Sequence, residues 1–331
     1  MTVCRQLATQ LVRSGRGILA ADESIATMNR RLYAAGVPAT EQNRRAYREL
    51  LAGTPGLAEG VAGIIFCDET LRQRFADGRT FPEAVHQLGM LPGIKVDTGA
   101  YACPGLGELV TEGLDGLPAR MAEYAALGAR FAKWRAVFVI ADDLPSGVAL
   151  WANAQALARY AAAAQEAGLV PIVEPEVLTE GEHSLERCAE ITARVHAAVA
   201  EELVAFRVDQ AGMVLKPNMV VEGNRHPRRA TPEQVAEATV DVLRAQPEEL
   251  AGVAFLSGGQ PPERATANLA AMQRHTTPWP LTFSFGRALV DPALAAWRGA
   301  PRRVPAGRAA LAARVAANWA ALRGLGEPAR V

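Results

Sequence analysis

Lysine is nearly absent from this chain, and the few lysines it has fall where chemistry could be done. Of 35 basic residues only Lys95, Lys133 and Lys216 are lysines, and the other 32 are arginines. Arginine replaces lysine wherever a fixed cation suffices, but it cannot replace an amine that must lose its proton. Each of the three sits in a short apolar run, beside or between runs that end in carboxylates: Asp22, Asp68, Glu174 and Glu176. Strand alternation puts Lys133 and Arg135 on one face, Glu174 and Glu176 on one face, and Lys216 and Asn218 on one face. A second ammonium close by, or loss of water, lowers a lysine pKa, and a neutral amine attacks carbonyl carbon. A neighbouring carboxyl can protonate the hydroxyl that leaves the adduct. Amine plus acid is therefore the minimum equipment for Schiff-base chemistry. A satisfied ion pair is the bland alternative for any one lysine, and for Lys95 composition bias with a fortunate position is a further alternative.

A different function is suggested near the C-terminal end. Ser257-Gly258-Gly259 offers exposed backbone N–H groups that can cradle an anion, and Ser284 and Arg287 close the last apolar run. Metal chemistry is less favoured. His86, His183, His196, His226 and His275 show no ligand spacing and lie outside the runs, which reads them as surface or loop residues. No metal and no cofactor is expected.

The elements that must position these residues repeat along the chain. Eight apolar runs start at residues 17, 62, 93, 131, 170, 212, 252 and 281. The spacing leaves room for a strand and a crossover helix each time. Helical spacing fills residues 41–51, 118–128, 151–168, 182–203, 232–245 and 262–275, with Gly128 and Gly168 as C-caps. Eight such units in 331 residues fit a single (β/α)8 TIM barrel with its site at the carboxyl ends of the strands. A doubly wound sheet would carry a glycine-rich loop after its first strand, whereas here Asp22-Glu-Ser-Ile-Ala-Thr27 follows. No linker interrupts the composition, so residues 1–331 read as one domain with a short N-terminal helix and a C-terminal helical segment.

Composition excludes several function classes. Half the residues are hydrophobic, which argues against disorder. Lys+Arg and Asp+Glu balance at 35 each, so bulk positive charge for nucleic acid is missing. No apolar run approaches a membrane span, and residues 1–16 lack the apolar block of a secretory signal. Cys4, Cys67, Cys103 and Cys188 are too scattered for a zinc site or a disulfide framework. A cytoplasmic location with no membrane or nucleic-acid partner follows as the expectation.

The chain resembles the class I fructose-bisphosphate aldolases. The stretches that carry the likeness are Gly17-Ile-Leu-Ala-Ala-Asp-Glu-Ser24, Gly93-Ile-Lys-Val-Asp97, Phe131-Ala-Lys-Trp-Arg135 and Val170-Pro-Ile-Val-Glu-Pro-Glu176. Leu215-Lys-Pro-Asn-Met-Val220, Phe255-Leu-Ser-Gly-Gly-Gln260 and Phe283-Ser-Phe-Gly-Arg-Ala-Leu289 complete them in the family's order. The resemblance implies a lyase of glycolysis and gluconeogenesis that interconverts fructose 1,6-bisphosphate with dihydroxyacetone phosphate and glyceraldehyde 3-phosphate. Lys216 is then the Schiff-base lysine, Glu174 the acid/base with Glu176 in support, Asp22 the carboxylate at the C4 hydroxyl and Lys133 the electrostatic partner. Ser257, Gly258, Gly259, Ser284 and Arg287 would hold one phosphate. Ser24, Thr27, Arg31 and Lys95 would hold the other, with Arg135 a further substrate contact. The family typically forms homotetramers. Two departures stand out: Ile25-Ala-Thr27 replaces the usual Thr-Gly-Ser, and the sequence ends at Val331 without the tail tyrosine common in the family, its last tyrosine being Tyr160. Slower enamine protonation is the expectation from the second. Fructose 1-phosphate or tagatose 1,6-bisphosphate would be the alternative substrate, and a non-catalytic sugar-phosphate-binding scaffold the alternative class.

Overall fold

The computed structural model describes residues 2–324. Eight strands close a parallel barrel in which every neighbour is next in the chain and the last pairs with the first. They are β1 (Gly17–Ala21), β2 (Val61–Phe66), β3 (Leu91–Lys95), β4 (Phe131–Phe138), β5 (Val170–Val177), β6 (Val214–Leu215), β7 (Gly252–Phe255) and β8 (Leu281–Phe285). The TIM barrel expected from the eight apolar runs is the observed architecture. Burial on both faces explains why those runs read as continuously apolar rather than alternating.

One helix, α1 (Thr2–Val12), precedes the first strand, and the others follow strands and pack outside them: α2 (Ile25–Ala34), α3 (Glu41–Ala52), α4 (Leu57–Gly60), α5 (Asp68–Arg72), α6 (Phe81–Gln87) and α7 (Leu117–Ala126). The rest are α8 (Gly147–Glu166), α9 (Leu185–Ala205), α10 (Pro232–Leu243), α11 (Pro262–Met272), α12 (Arg287–Trp297) and α13 (Val304–Leu322). Their starts are chemically marked. Ser24, Thr40, Ser146 and Ser184 accept from the third residue of their helices, and Thr80 and Thr231 form reciprocal capping boxes with Glu83 and Gln234.

The barrel has two unlike ends. At the amino ends of the strands, Cys4, Ala8, Leu11 and Val12 of α1 pack with Leu91, Phe131, Val170 and Val214 into an apolar plug. Glycine makes room for it: a Cβ on Gly93 would overlap the Phe131 ring, and one on Gly17 would overlap Phe283. At the carboxyl ends the barrel opens to solvent.

Three readings are corrected by the structure. The sixth run holds a ladder of only two residues, since Pro217 has no N–H to donate. Alternation therefore does not carry Asn218 onto the Lys216 face. Asn218 is buried instead, accepting from the Val177 N–H at 3.0 Å and donating to Thr192 on α9 at 3.2 Å. His196 is no surface residue, because the spacing of Thr192, Val195, His196 and Val199 turns it into the α9 interface, where it is 3% exposed. Burial without a charged partner lowers its pKa to about 4. Finally, residues 99–112, read as no element at all, form an antiparallel hairpin of Gly99–Ala102 with Leu109–Glu112.

Candidate active site

The open end holds a cleft of about 600 Å³. Every residue singled out from the sequence as catalytic or substrate-binding lines it, except Gly259, which sits one residue behind its rim beside Arg287.

At the floor, four groups from four elements converge. Lys133 on β4, Glu174 on β5 and Lys216 just past β6 are only 3%, 4% and 3% exposed. One carboxylate bridges two ammoniums: Glu174 Oε1 lies 3.1 Å from Lys216 Nζ and Oε2 lies 3.2 Å from Lys133 Nζ. Lys133 also meets Asp22 Oδ2 at 2.7 Å. Burying charges is costly, and it is tolerated here because opposite charges balance within the cluster. Burial alone would raise the Asp22 pKa, but Lys133 and Lys216 outweigh it and hold the carboxyl at about 2. Glu174 is likewise desolvated, yet Lys133, Lys216 and Arg135 bring its pKa below the usual carboxylate value. Two neighbouring ammoniums were expected to depress one another. At Lys133 the balance runs the other way: burial opposes its charge, while Asp22 and Glu174 push harder and raise its pKa. Lys133 is a permanent cation of the site.

The neighbours of this cluster are tied by their own pairs. Arg135 Nε reaches Glu176 Oε2 at 2.5 Å. Lys95 folds over Asp97, whose Oδ1 and backbone oxygen lie 2.5 and 2.6 Å from Nζ. Arg31 pairs with Glu23, which Arg48 also meets at 2.8 Å, and with Asp291 at 2.5 Å. Ser24 caps α2, and Thr27 accepts from Arg30 at 3.1 Å. Lys95 and Arg31 thus line the cleft while engaged with carboxylates, and a ligand there would compete with those partners.

Across the cleft, β7 and β8 end in a different surface. Gly258 and Gly259 adopt successive left-handed conformations with φ of 55° and 78°, a geometry that spares only glycine its strain. Among the described residues neither amide N–H finds a protein acceptor. Ser284 Oγ is buried without a partner, and α12 begins at Arg287 with no side-chain cap. Unpaired N–H groups, a spare hydroxyl, a helix N-terminus and a guanidinium are the features of an anion site.

Sequence reasoning passed over several lining residues: Glu23, Arg30, Asp97, Thr98 and the hairpin residues 99–101, Tyr101 among them. Asp97 could have been found, since it lies two residues from Lys95 on the same side of an extended chain. Arg30 stands three residues after Thr27, one helical turn away. Tyr101 carried no such signal. Among the described residues no three His, Cys, Asp or Glu side chains are grouped to hold a metal ion.

An amine and a carboxylate buried together at the carboxyl ends of barrel strands define an enzyme that works on a carbonyl through an amine. Comparison with known proteins narrows the class. The sequence model of the family described as "Glycolytic: Fructose-bisphosphate aldolase class-I" matches residues 4–329. A probable fructose-bisphosphate aldolase class 1 of Xanthomonas campestris is 50% identical over 295 residues, 88% of each chain. Fructose-bisphosphate aldolase B of Gallus gallus is 46% identical over 323 residues, covering 96% of this chain and 89% of its own. Among solved structures, the Plasmodium falciparum fructose-bisphosphate aldolase crystallised with TRAP and a small-molecule inhibitor superposes with a TM-score of 0.97. It is 42% identical and covers 99% of this chain and 96% of its own. The chain belongs to the class-I fructose-bisphosphate aldolase family.

Proposed function

We propose that this chain cleaves fructose 1,6-bisphosphate into dihydroxyacetone phosphate and glyceraldehyde 3-phosphate, and catalyses the reverse condensation, through a Schiff base on Lys216. The observation that carries the proposal is the single Glu174 carboxylate set between the Lys216 and Lys133 ammoniums at the cleft floor.

That contact supplies both reactants of the first step. Passing a proton from Lys216 Nζ to Glu174 Oε1 over 3.1 Å leaves a neutral amine and a protonated, uncharged acid side by side. The amine adds to the C2 carbonyl, and Glu174 protonates the resulting hydroxyl, which departs as water and leaves an iminium. Asp22 then takes the C4 hydroxyl proton. The C3–C4 electron pair moves into the iminium, releasing glyceraldehyde 3-phosphate and leaving an enamine on the lysine. Return of a proton to C3 and hydrolysis of the iminium free dihydroxyacetone phosphate. Lys133 holds Asp22 ionised for its step. One phosphate would rest on Ser257, Gly258, Gly259, Ser284 and Arg287. The other would displace carboxylate partners of Lys95 and Arg31 near Ser24 and Thr27, with Arg135 and Glu176 shaping the wall between.

We read residues 1–331 as one barrel domain acting in the cytoplasm as a homotetramer in glycolysis and gluconeogenesis. Among the described residues no helix is long and apolar enough to cross a membrane. Light scattering is expected to give four times the 35.2 kDa chain mass. The tail that prompted the expectation of slow enamine protonation lies outside the described residues.

The decisive experiment is borohydride reduction in the presence of dihydroxyacetone phosphate, followed by peptide mapping. A stable adduct on Lys216 is expected, with none in Lys216→Arg and cleavage reduced about 10⁴-fold or more. Wild-type protein that cleaves substrate without acquiring the adduct would remove the Schiff-base mechanism.

A further inference from the structure

Thr179 stands outside the cleft, two residues beyond β5, yet it touches the one backbone segment on which the anion cradle depends. Its Oγ1 donates to the Gly258 carbonyl oxygen at 3.1 Å. A trans peptide is planar, with its C=O and N–H pointing in opposite directions. Fixing the Gly258 carbonyl toward Thr179 therefore turns the Gly259 N–H the other way. Arg287 lies beside the same residue, its guanidinium 3.2 Å from where a Cβ on Gly259 would stand. Two consecutive glycines have the most freedom of any dipeptide, so an outside anchor has much to set here. From this geometry we infer that Thr179 is a positioning residue for the phosphate cradle, orienting the Gly259 N–H toward the phosphate; the inference rests on the proposed function above.

The anchor is itself held firmly. The Thr179 carbonyl accepts from Asn224 N–H at 2.7 Å, and Gly181 N–H donates to Asn224 Oδ1 at 3.2 Å, which joins the loop after β5 to the loop after β6. The second loop is locked in turn by Glu222. This buried carboxylate takes Arg229 at 3.1 Å and Arg264 at 2.6 Å, and Arg264 belongs to α11, the helix that follows the cradle. Three loops are thus braced behind the two glycines, and the only side-chain hydrogen bond from that brace to a cradle carbonyl, among the described residues, comes from Thr179.

The test compares Thr179→Val, which keeps the shape and loses the hydroxyl, with Thr179→Ser, which keeps the hydroxyl. The concentration dependence of borohydride inactivation is measured with dihydroxyacetone phosphate and with dihydroxyacetone, which lacks the phosphate. Thr179→Val is expected to need about tenfold more dihydroxyacetone phosphate for half-maximal inactivation, the equivalent of one hydrogen bond. The rate at saturation and the response to dihydroxyacetone should stay within about twofold of wild type, and Thr179→Ser should restore wild-type behaviour. A Thr179→Val response to dihydroxyacetone phosphate equal to wild type, an equal loss on both ligands, or no rescue by serine would each overturn the role. If wild-type protein itself acquired no adduct on Lys216, the proposed function would fall first; an intact wild-type response beside an unaffected variant removes Thr179 alone.

Discussion

Glu174 shows how one side chain can settle the charge state of a whole site. Its two oxygens address different lysines, and Oε2, although 3.2 Å from Lys133, accepts no aligned hydrogen bond among the described residues. Asp22 pays the electrostatic counterpart. Its pKa falls from 3.8 in the unfolded chain to about 2 in the fold, so folding is favoured by its ionised form. The stability it contributes is complete above its unfolded value and is lost as pH falls through its folded value. Between pH 5 and pH 2 the unfolding free energy is expected to drop by about 2 kcal/mol on this account. Urea titrations at stepped pH should show a flatter profile over that window for Asp22→Asn, and an equally steep profile would refute the assignment.

Among the elements, the strands announced themselves and the pieces laid over the barrel mouth did not. A strand buried on both faces must be apolar from end to end, and polar residues begin where it meets the mouth. Hence Asp22, Lys95, Glu174 and Lys216 could be placed from the sequence alone. The hairpin at residues 99–112 had no such signature, because Gly99, Ala100 and Ala102 bury little and show no alternation. Side chains from other elements hold it instead. Asn153 of α8, wholly buried, accepts from Thr111 N–H at 3.0 Å and donates to the Leu109 carbonyl at 2.9 Å. Thr111 Oγ1 donates onward to the Arg135 carbonyl at 2.9 Å. Such long-range ties cannot be read from local spacing. Asn153→Ala strands two backbone groups, one buried and one partly buried, and is expected to destabilise the protein by about 1–3 kcal/mol. Hydrogen exchange should quicken first across residues 99–112. Uniform quickening along the whole chain, with none preferred in the hairpin, would contradict this coupling.

For the whole molecule, zero net charge conceals a gradient. The plugged end of the barrel is apolar, whereas the cleft gathers Arg30, Arg31, Lys95, Lys133, Arg135, Lys216 and Arg287 against Asp22, Glu23, Asp97, Glu174 and Glu176. A neutral protein with a cationic mouth draws in a doubly phosphorylated sugar without attracting polyanions over its whole surface. Screening shortens the reach of that field from about 30 Å at 0.01 M salt to about 8 Å at 0.15 M. Over that range kcat/KM is expected to fall several-fold while kcat moves less than about twofold, since the buried ion pairs are shielded from added salt. Salt-independent kcat/KM would remove the steering argument. The pairing of β8 with β1 carries a last consequence. The Thr282 hydroxyl donates to the Arg16 carbonyl at 2.8 Å across 266 positions of sequence, and every other barrel partner is the next strand along. During synthesis the ring cannot close until residues 281–285 have emerged, and any arc of strands formed earlier has both edges unpaired. This ring is sealed by one late event, and the nascent chain is most exposed to aggregation just before it.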